Sequence, residues 1–170
     1  MGDRWVEKDL SRSTYVWLPL RVAGDQVVME YREYWDSPLG QSSASRGQPD
    51  LTYSVKDGKL SGGAKMLAKD VAGYIGGTAS GGVTFPGIQS QSHQRKTLKI
   101  NYSNGDRATR YASILVNGGK QQKVAFLSTE GGKGISVVPV ELKAGRNDVE
   151  ITGINGGWGP DIISVEVPAG

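Results

Sequence analysis

The sequence predicts an all-β protein, a β-sandwich with an N-terminal β-hairpin extension. The chain has 25 glycines among 170 residues and 22% charged residues, a composition that favours a loop-rich β protein over a helical one. From Leu51 onward, short strand-like segments recur at the spacing typical of an all-β sandwich. A helical period of useful length is missing, because the best candidate, residues 64–71, is short and followed soon by glycine.

Residues 1–36 form the predicted hairpin region. Segments 14–22 and 26–32 have the composition of strands, and residues 23–25 between them carry a turn signal, Ala-Gly-Asp. A two-stranded hairpin is marginally stable alone, so we expect it to need a surface, either in this chain or outside it. Residues 37–50 are small, polar and contain Pro and Gly, which predicts a linker.

Residues 51–170 form the predicted sandwich. Alternation is clearest at 97–102, where Leu98, Ile100 and Tyr102 face one way and polar residues face the other. The predicted strands are 51–55, 59–66, 71–75, 82–85, 95–102, 110–116, 121–127, 134–142, 147–152 and 162–167.

Charge and composition exclude several function classes. The 20 Lys and Arg are scattered and nearly balanced by 17 Asp and Glu, so the basic stripe expected of a nucleic-acid binder is missing. No apolar run reaches the length of a membrane span, so we expect no membrane partner. No signal-peptide pattern is found, so the chain is expected to be intracellular or part of a longer precursor. The absence of Cys excludes disulfides and thiol catalysis, and a single loop His, His93, is a poor metal site.

The loop at residues 155–161, with sequence NGGWGPD, is the strongest functional signal. Trp158 has glycines around it that cannot bury an indole, so its ring is expected to project from the loop. An aromatic face beside the amide of Asn155 suits stacking on a sugar ring while its hydroxyls are hydrogen-bonded. The alternative is an indole folded back as a plug on the end of the sandwich.

With the strands and this loop placed, residues 51–168 resemble a family 35 carbohydrate-binding module, whose fold is a jelly-roll β-sandwich related to that of family 6. The segments that carry the resemblance, in family order, are LSGGA at 60–64, GYIGG at 73–77, YSNG at 102–105, ASILVNG at 112–118, LKAGRNDV at 142–149 and GPDI at 159–162.

Residues 1–36 resemble the closing segment of a glycoside hydrolase family 43 catalytic domain, a five-bladed β-propeller. The stretch YVWLPL at 15–20 and the strand ending in Trp35-Asp36 carry this resemblance. A propeller tail, a linker and a family 35 module follow one another in this order in fungal exo-acting galactanases. The resemblance therefore implies an extracellular accessory module of a longer, secreted hydrolase.

The resemblance also implies the site residues. It makes Trp158 the stacking platform, Asn155 a partner for hydroxyls and Tyr74 a second aromatic. Each has a structural alternative: a turn residue with a left-handed backbone for Asn155 and a core residue for Tyr74. Arg110 and Asn104 are further candidates, since they could bind hydroxyls or an acidic sugar, and the alternative for both is a solvated turn or strand edge.

The sequence differs from the family at the positions of its calcium ligands. Many members hold a structural calcium with two glutamates of an early strand and an Asp near the last strand, and the matching residues here are Ser54, Lys56 and Ile163. Calcium prefers several oxygen ligands with net negative charge. We therefore expect no structural calcium and no other cofactor; a second, ligand-side calcium stays open.

Together, the composition, the Trp158 loop and the resemblance predict non-catalytic carbohydrate binding. This binding keeps a plant-cell-wall-degrading hydrolase near its polysaccharide. Glycoside hydrolysis needs two carboxylates flanking a cleft, and no motif here pairs two, so no catalytic residue is predicted. Galactan or arabinogalactan is the favoured ligand, with xylan, mannan and uronic-acid polymers as alternatives. The competing hypothesis is a structural or oligomerising sandwich with little sugar affinity, in which residues 1–36 pack on the sandwich or on a second copy.

Overall fold

A computed structural model of the chain describes residues 2–4, 14–16, 20–23, 26–29 and 50–168. Within these ranges the strands are, in chain order, β1 (Gly2–Arg4), β2 (Thr14–Val16), β3 (Leu20–Ala23), β4 (Gln26–Met29), β5 (Leu51–Ser54), β6 (Lys59–Ser61), β7 (Lys65–Ala68), β8 (Val71–Gly73), β9 (Gly82–Ser90), β10 (Gln94–Ser103), β11 (Arg110–Val116), β12 (Gln122–Phe126), β13 (Gly134–Leu142), β14 (Gly145–Gly153) and β15 (Asp161–Val167).

Two antiparallel sheets form the sandwich. The six-stranded sheet has the order β13-β10-β15-β8-β7, with β5 also paired to β15. The five-stranded sheet has the order β12-β11-β14-β9-β6. The predicted all-β jelly-roll sandwich with a hairpin extension is confirmed.

The core lies between the two sheets. Leu98 and Ile100 are fully buried, and Tyr102 is nearly so, as the alternation in β10 predicts. The rings of Tyr102 and Phe126 meet edge to face with centroids 4.9 Å apart, and each belongs to a different sheet. Complete burial of an apolar side chain such as Leu98, Ile100 or Phe126 stabilises the fold by about 1.5–3 kcal/mol.

The hairpin extension is present as β3 paired with β4, from Leu20 opposite Met29 to Ala23 opposite Gln26. Within the predicted strand at 14–22, Thr14–Val16 pairs with β1, whereas Leu20–Ala23 pairs with β4. Both hairpin strands approach β13 of the sandwich. Apart from Asp50, the predicted linker lies outside the described residues, as do Trp5, Trp17 and Trp35, so the domain boundaries stay predictions.

The predicted strands differ from the observed ones in two larger details, and several other strand ends differ by one or two residues. The segment 59–66 is not one strand: Gly62, with φ +56°, turns the chain so that β6 joins one sheet and β7 the other. Strand β9 continues to Ser90 instead of ending at residue 85, because the β14–β9 ladder shifts register between Asn147 and Val149 and so accommodates the Pro-Gly pair at 86–87.

Candidate functional site

Trp158 lies in the loop between β14 and β15. A turn closes on Gly157, whose N–H donates to the carbonyl of Ile154 at 2.8 Å, and a backbone bridge joins Trp158 to Gly76. One face of the indole lies against Gly77, yet the residue is 51% exposed. The ring is therefore presented on the surface, not sealed beneath neighbouring side chains as a plug.

Tyr74 stands beside it at the end of β8. Its ring centroid is 6.1 Å from that of Trp158 with the planes at 71°, so the two rings form an open corner, the aromatic corner. Tyr74 is 51% exposed, so the alternative that it fills the core is wrong. The nearby Ala72 and Ile75 are fully buried.

The backbone of Tyr74 is strained. Its φ is +58°, a left-handed conformation that costs a residue with a β-carbon about 1–2 kcal/mol. Such strain persists only where the surroundings enforce it, and it concentrates at functional sites. Here it directs an aromatic ring out of the sandwich toward Trp158.

A groove of about 390 Å³ opens on the other side of Trp158, and we name it the Trp158 groove. Its lining residues are Asp106, Ala108, Thr109, Arg110, Tyr111, Lys123, Ile154, Gly157 and Trp158. Tyr111 is 36% exposed, and Nζ of Lys123 lies 3.9 Å from the centroid of its ring. Neither residue was predicted from the sequence, although the alternation in 110–116 places Tyr111 on the outward face of β11.

Arg110 links two loops that line the Trp158 groove. Its Nε and Nη2 donate to Oδ2 of Asp106 at 2.8 and 2.7 Å, and its Nη1 donates to the carbonyl of Gly159 at 2.9 Å. Most of the guanidinium is thereby committed to protein partners, and the loop before β11 is tied to the loop that carries Trp158. Arg110 thus positions the site more than it offers hydrogen bonds to a ligand.

The structure corrects the prediction that Asn104 binds the ligand. It is fully buried, its Nδ2 donates to the carbonyls of Ala108 and Phe126 at 3.0 Å, and its Oδ1 accepts from the backbone N–H of Asp106 at 3.1 Å. An amide enclosed in this way cannot reach a sugar. Its role is to shape the loop that leads to Arg110.

Asn155 fits both interpretations given above, a turn residue with a left-handed backbone and a partner for hydroxyls. Its φ of +51° is the left-handed turn conformation. Its side chain is exposed and has no hydrogen-bond partner among the described residues, so the amide is available to a ligand next to Trp158. Whether Trp158, Tyr74, Asn155 and Arg110 serve a sugar stays a prediction.

Asp161 begins β15 beneath this loop, and its environment shifts its pKa. Burial raises the pKa of the carboxyl above its ordinary value, the positive charge of Arg110 lowers it, and the negative charge of Asp106 raises it further. Desolvation is the largest of these effects.

The three residues that the resemblance places at calcium positions, Ser54, Lys56 and Ile163, make other contacts in the structure. The Oγ of Ser54 accepts from the backbone N–H of Lys56 at 3.3 Å and caps a short 3-10 helix. The ammonium of Lys56 pairs with Asp70 at 2.7 Å, and Ile163 offers no oxygen ligand from its side chain. Among the described residues, no group of three or more His, Cys, Asp or Glu side chains is arranged to hold a metal.

The part of the chain that the structure describes contains no helix long and apolar enough to cross a bilayer. Neither a protein-family model nor a curated protein sequence matches this chain.

Solved structures do match, and they define the class of fold. A family 35 carbohydrate-binding module from Clostridium thermocellum superposes with a TM-score of 0.65 at 23% identity, over 70% of this chain and 98% of that one. A family 35 module solved with a disaccharide containing glucuronic acid matches with a TM-score of 0.55 at 23% identity, over 71% of this chain and 94% of that one. The chain has the fold of these non-catalytic modules, as the resemblance implied.

A second kind of match covers the hairpin as well. The exo-β-1,3-galactanase from Phanerochaete chrysosporium, solved with β-1,3-galactotriose, superposes with a TM-score of 0.67 at 25% identity. The match covers 98% of this chain but 40% of the galactanase, so this chain spans less than half the length of that enzyme.

Proposed function

We propose that this chain is a non-catalytic module that binds polysaccharide and anchors a glycoside hydrolase to it. The observation that carries the proposal is the aromatic corner, in which two rings, each half exposed, meet at 71°. The loop that carries Trp158 also carries Asn155, whose amide has no partner within the described part of the chain. The face of one ring can stack on the apolar face of a sugar while the other closes its side. Anchoring raises the effective concentration of substrate near the enzyme.

Galactose-containing polymer is the proposed ligand, and the extracellular space the proposed location. The likeness to the galactanase over nearly the whole of this chain supports both proposals. Preformed aromatic surfaces with few polar groups bind sugars weakly per site, so modest affinity is expected.

No hydrolysis is expected at this site. Glycoside hydrolysis needs a pair of carboxyl groups across the scissile bond. Of the residues that line the Trp158 groove, Asp106 alone carries a carboxylate, and that group is bound to Arg110.

The test is calorimetric titration with β-1,3-galactan oligosaccharides, in the presence and absence of calcium. Trp158→Ala should abolish measurable binding with the fold retained. Ile135→Ala is the matched control, because Ile135 is 44% exposed but lies on the six-stranded sheet, and it should bind as the wild type does. Unchanged binding by Trp158→Ala would refute the proposal, and xylan, mannan and oligogalacturonate titrations test the choice of galactan.

One observation favours a second, structural role. Leu20 and Met29 pair across the hairpin, as do Val22 and Val27, and the four side chains are 59–66% exposed. An apolar patch of this kind marks a contact surface. Contact with a neighbouring catalytic domain or with a second copy would cover it. Sedimentation of the wild type and of Val22→Ser/Val27→Ser tests this role, because a hairpin-mediated dimer should dissociate in the double variant.

A further inference from the structure

A second groove, of about 450 Å³, lies outside the aromatic corner, and we name it the sheet-face groove. Its lining residues are Ser61, Gly76, Gly77, Ser80, Leu115, Gln121, Glu150, Thr152, Gly153 and Gly156. It lies over the face of the five-stranded sheet that points away from the core, because Glu150 and Thr152 alternate along β14 with the buried Val149 and Ile151.

The register of the sheet brings its polar side chains together. Thr152 and Ser61 both pair with Gly82, one from each side, and Glu150 pairs with Leu115. A methyl group on Gly82 would lie 2.9 Å from Oγ of Ser61 and 3.0 Å from Cγ2 of Thr152. The absence of a side chain at Gly82 therefore lets the side chains of Ser61 and Thr152 approach each other across β9.

The hydrogen-bonding capacity of this groove is unused. The side chains of Ser61, Gln121, Glu150 and Thr152 have no hydrogen-bond or ion-pair partner among the described residues. Two hydroxyls, an amide and a carboxylate thus line the groove together with the apolar Leu115. A few convergent polar groups next to an apolar wall are typical of a small-ligand site, and this mixture of donors and acceptors suits sugar hydroxyls.

The charge of the lining selects among sugars. Glu150 is its one charged residue, so a uronate carboxylate would meet a like charge. A carboxylate accepts hydrogen bonds from the hydroxyls of a neutral sugar, and these bonds are stronger than those between neutral groups. The groove therefore fits a neutral sugar unit.

The two grooves open on the same face of the sheet. Tyr111 lines the Trp158 groove and Leu115 lines the sheet-face groove, and both point outward from β11 at a separation of about 13 Å. Ser113 lies between them on that face and is nearly fully buried, and its Oγ has no partner among the described residues. Because Ser113 is 2% exposed, this hydroxyl lies out of reach of a bound chain, and the proposal depends on the exposed lining residues alone.

We propose that the sheet-face groove is a second subsite, which binds neutral units of the same saccharide chain that the aromatic corner holds. This inference rests on the proposed function, since it extends a ligand already anchored at Trp158.

The experiment is calorimetric titration of the full chain with β-1,3-galactan oligosaccharides of increasing length. Wild-type affinity should rise as the oligosaccharide becomes long enough to occupy both grooves. Gln121→Ala/Glu150→Ala should lose that gain, with roughly tenfold weaker binding of the longest ligand and unchanged binding of the shortest. Gln89→Ala/Glu141→Ala is the matched control, because both of its residues are exposed strand residues outside either groove, and it should behave as the wild type does.

The outcomes separate the two proposals. Binding without length dependence, or a length dependence that survives in Gln121→Ala/Glu150→Ala, overturns the second subsite alone. No binding of any length by the wild type overturns the proposed galactan binding and the subsite with it. Glu150→Gln provides an independent measurement: it should bind an oligosaccharide carrying glucuronic acid more tightly than the wild type does, and equal affinity would contradict the assigned charge selection.

Discussion

The indole of Trp158 lies against the backbone of Gly77. A β-carbon on Gly77 would be 2.3 Å from Cη2 of the ring and 2.6 Å from Cζ2 and Cζ3. Gly77 also has a φ of +66°, so the position requires glycine for its backbone as well as for the space it leaves. The orientation of the proposed stacking platform is thus set by a residue that has no side chain.

Gly77→Ala is therefore expected to weaken sugar binding by displacing the indole, and calorimetric titration measures the effect. Gly118→Ala is the matched control, because Gly118 has a similar φ of +68° but nothing within 4 Å of the added methyl group. Both variants carry the same backbone strain, of about 1 kcal/mol in the free energy of unfolding. Equal sugar affinity in the two variants would show that Trp158 does not need this support.

Tyr74 allows backbone strain to be separated from ring chemistry. Tyr74→Ala removes the ring but keeps a β-carbon at φ +58°, whereas Tyr74→Gly removes both the ring and the strain. We expect Tyr74→Gly to be more stable than Tyr74→Ala by about 1 kcal/mol in urea denaturation. Both should bind sugar more weakly than the wild type, since each opens the aromatic corner. Equal stabilities would mean that the left-handed backbone stores no strain.

The sequence predicts most of this sandwich because strand alternation is a local property. Strands β11 and β13 begin and end where the sequence pattern indicates, although each contains three consecutive buried residues. The candidate site depends on distant contacts and was predicted less well. Lys123 meets Tyr111 through the pairing of β11 with β12, and no local pattern records that register.

Asn104 is a second residue whose environment a local sequence pattern does not predict. The Asn-Gly pair at 104–105 indicates a turn, and a turn is normally solvated. The burial of Asn104 is determined instead by the carbonyl of Phe126, 22 residues along the chain. A pattern confined to neighbouring residues cannot report that contact.

The enclosed amide of Asn104 predicts a stability effect without a binding effect. Asn104→Ala leaves the carbonyls of Phe126 and Ala108 and the N–H of Asp106 without their partner. The bond to Phe126 is the buried one, and a buried group left unsatisfied costs about 1–3 kcal/mol, so we expect a loss of that size in the free energy of unfolding. The folded fraction should keep its affinity for sugar to within a few fold. A variant as stable as the wild type would contradict the buried role.

The ion pair of Lys56 with Asp70 leads to an expectation about calcium. The resemblance places this ammonium at a position where family 35 modules hold calcium, so we expect millimolar calcium or a chelator to leave the Tm unchanged in calorimetric melting. Lys56→Ala should change the stability by less than about 1 kcal/mol, because both partners are close to half exposed. A Tm that rises with calcium and falls with chelator would show that other ligands have replaced the missing carboxylates.

Asp161 makes the stability depend on pH with a definite sign. Its pKa in the folded protein lies above the ordinary value of 3.8, mainly because burial disfavours the carboxylate. Between 3.8 and that raised pKa, the folded state holds a proton that the unfolded state has lost. The contribution of Asp161 to stability therefore falls as pH rises through this window and stays low at neutral pH. Asp161→Asn has no such titration, so urea denaturation across the acid range should show the wild type losing stability relative to the variant as pH increases. The opposite slope would mean that the positive charge of Arg110 outweighs desolvation and that the carboxylate is the favoured form beneath the Trp158 loop.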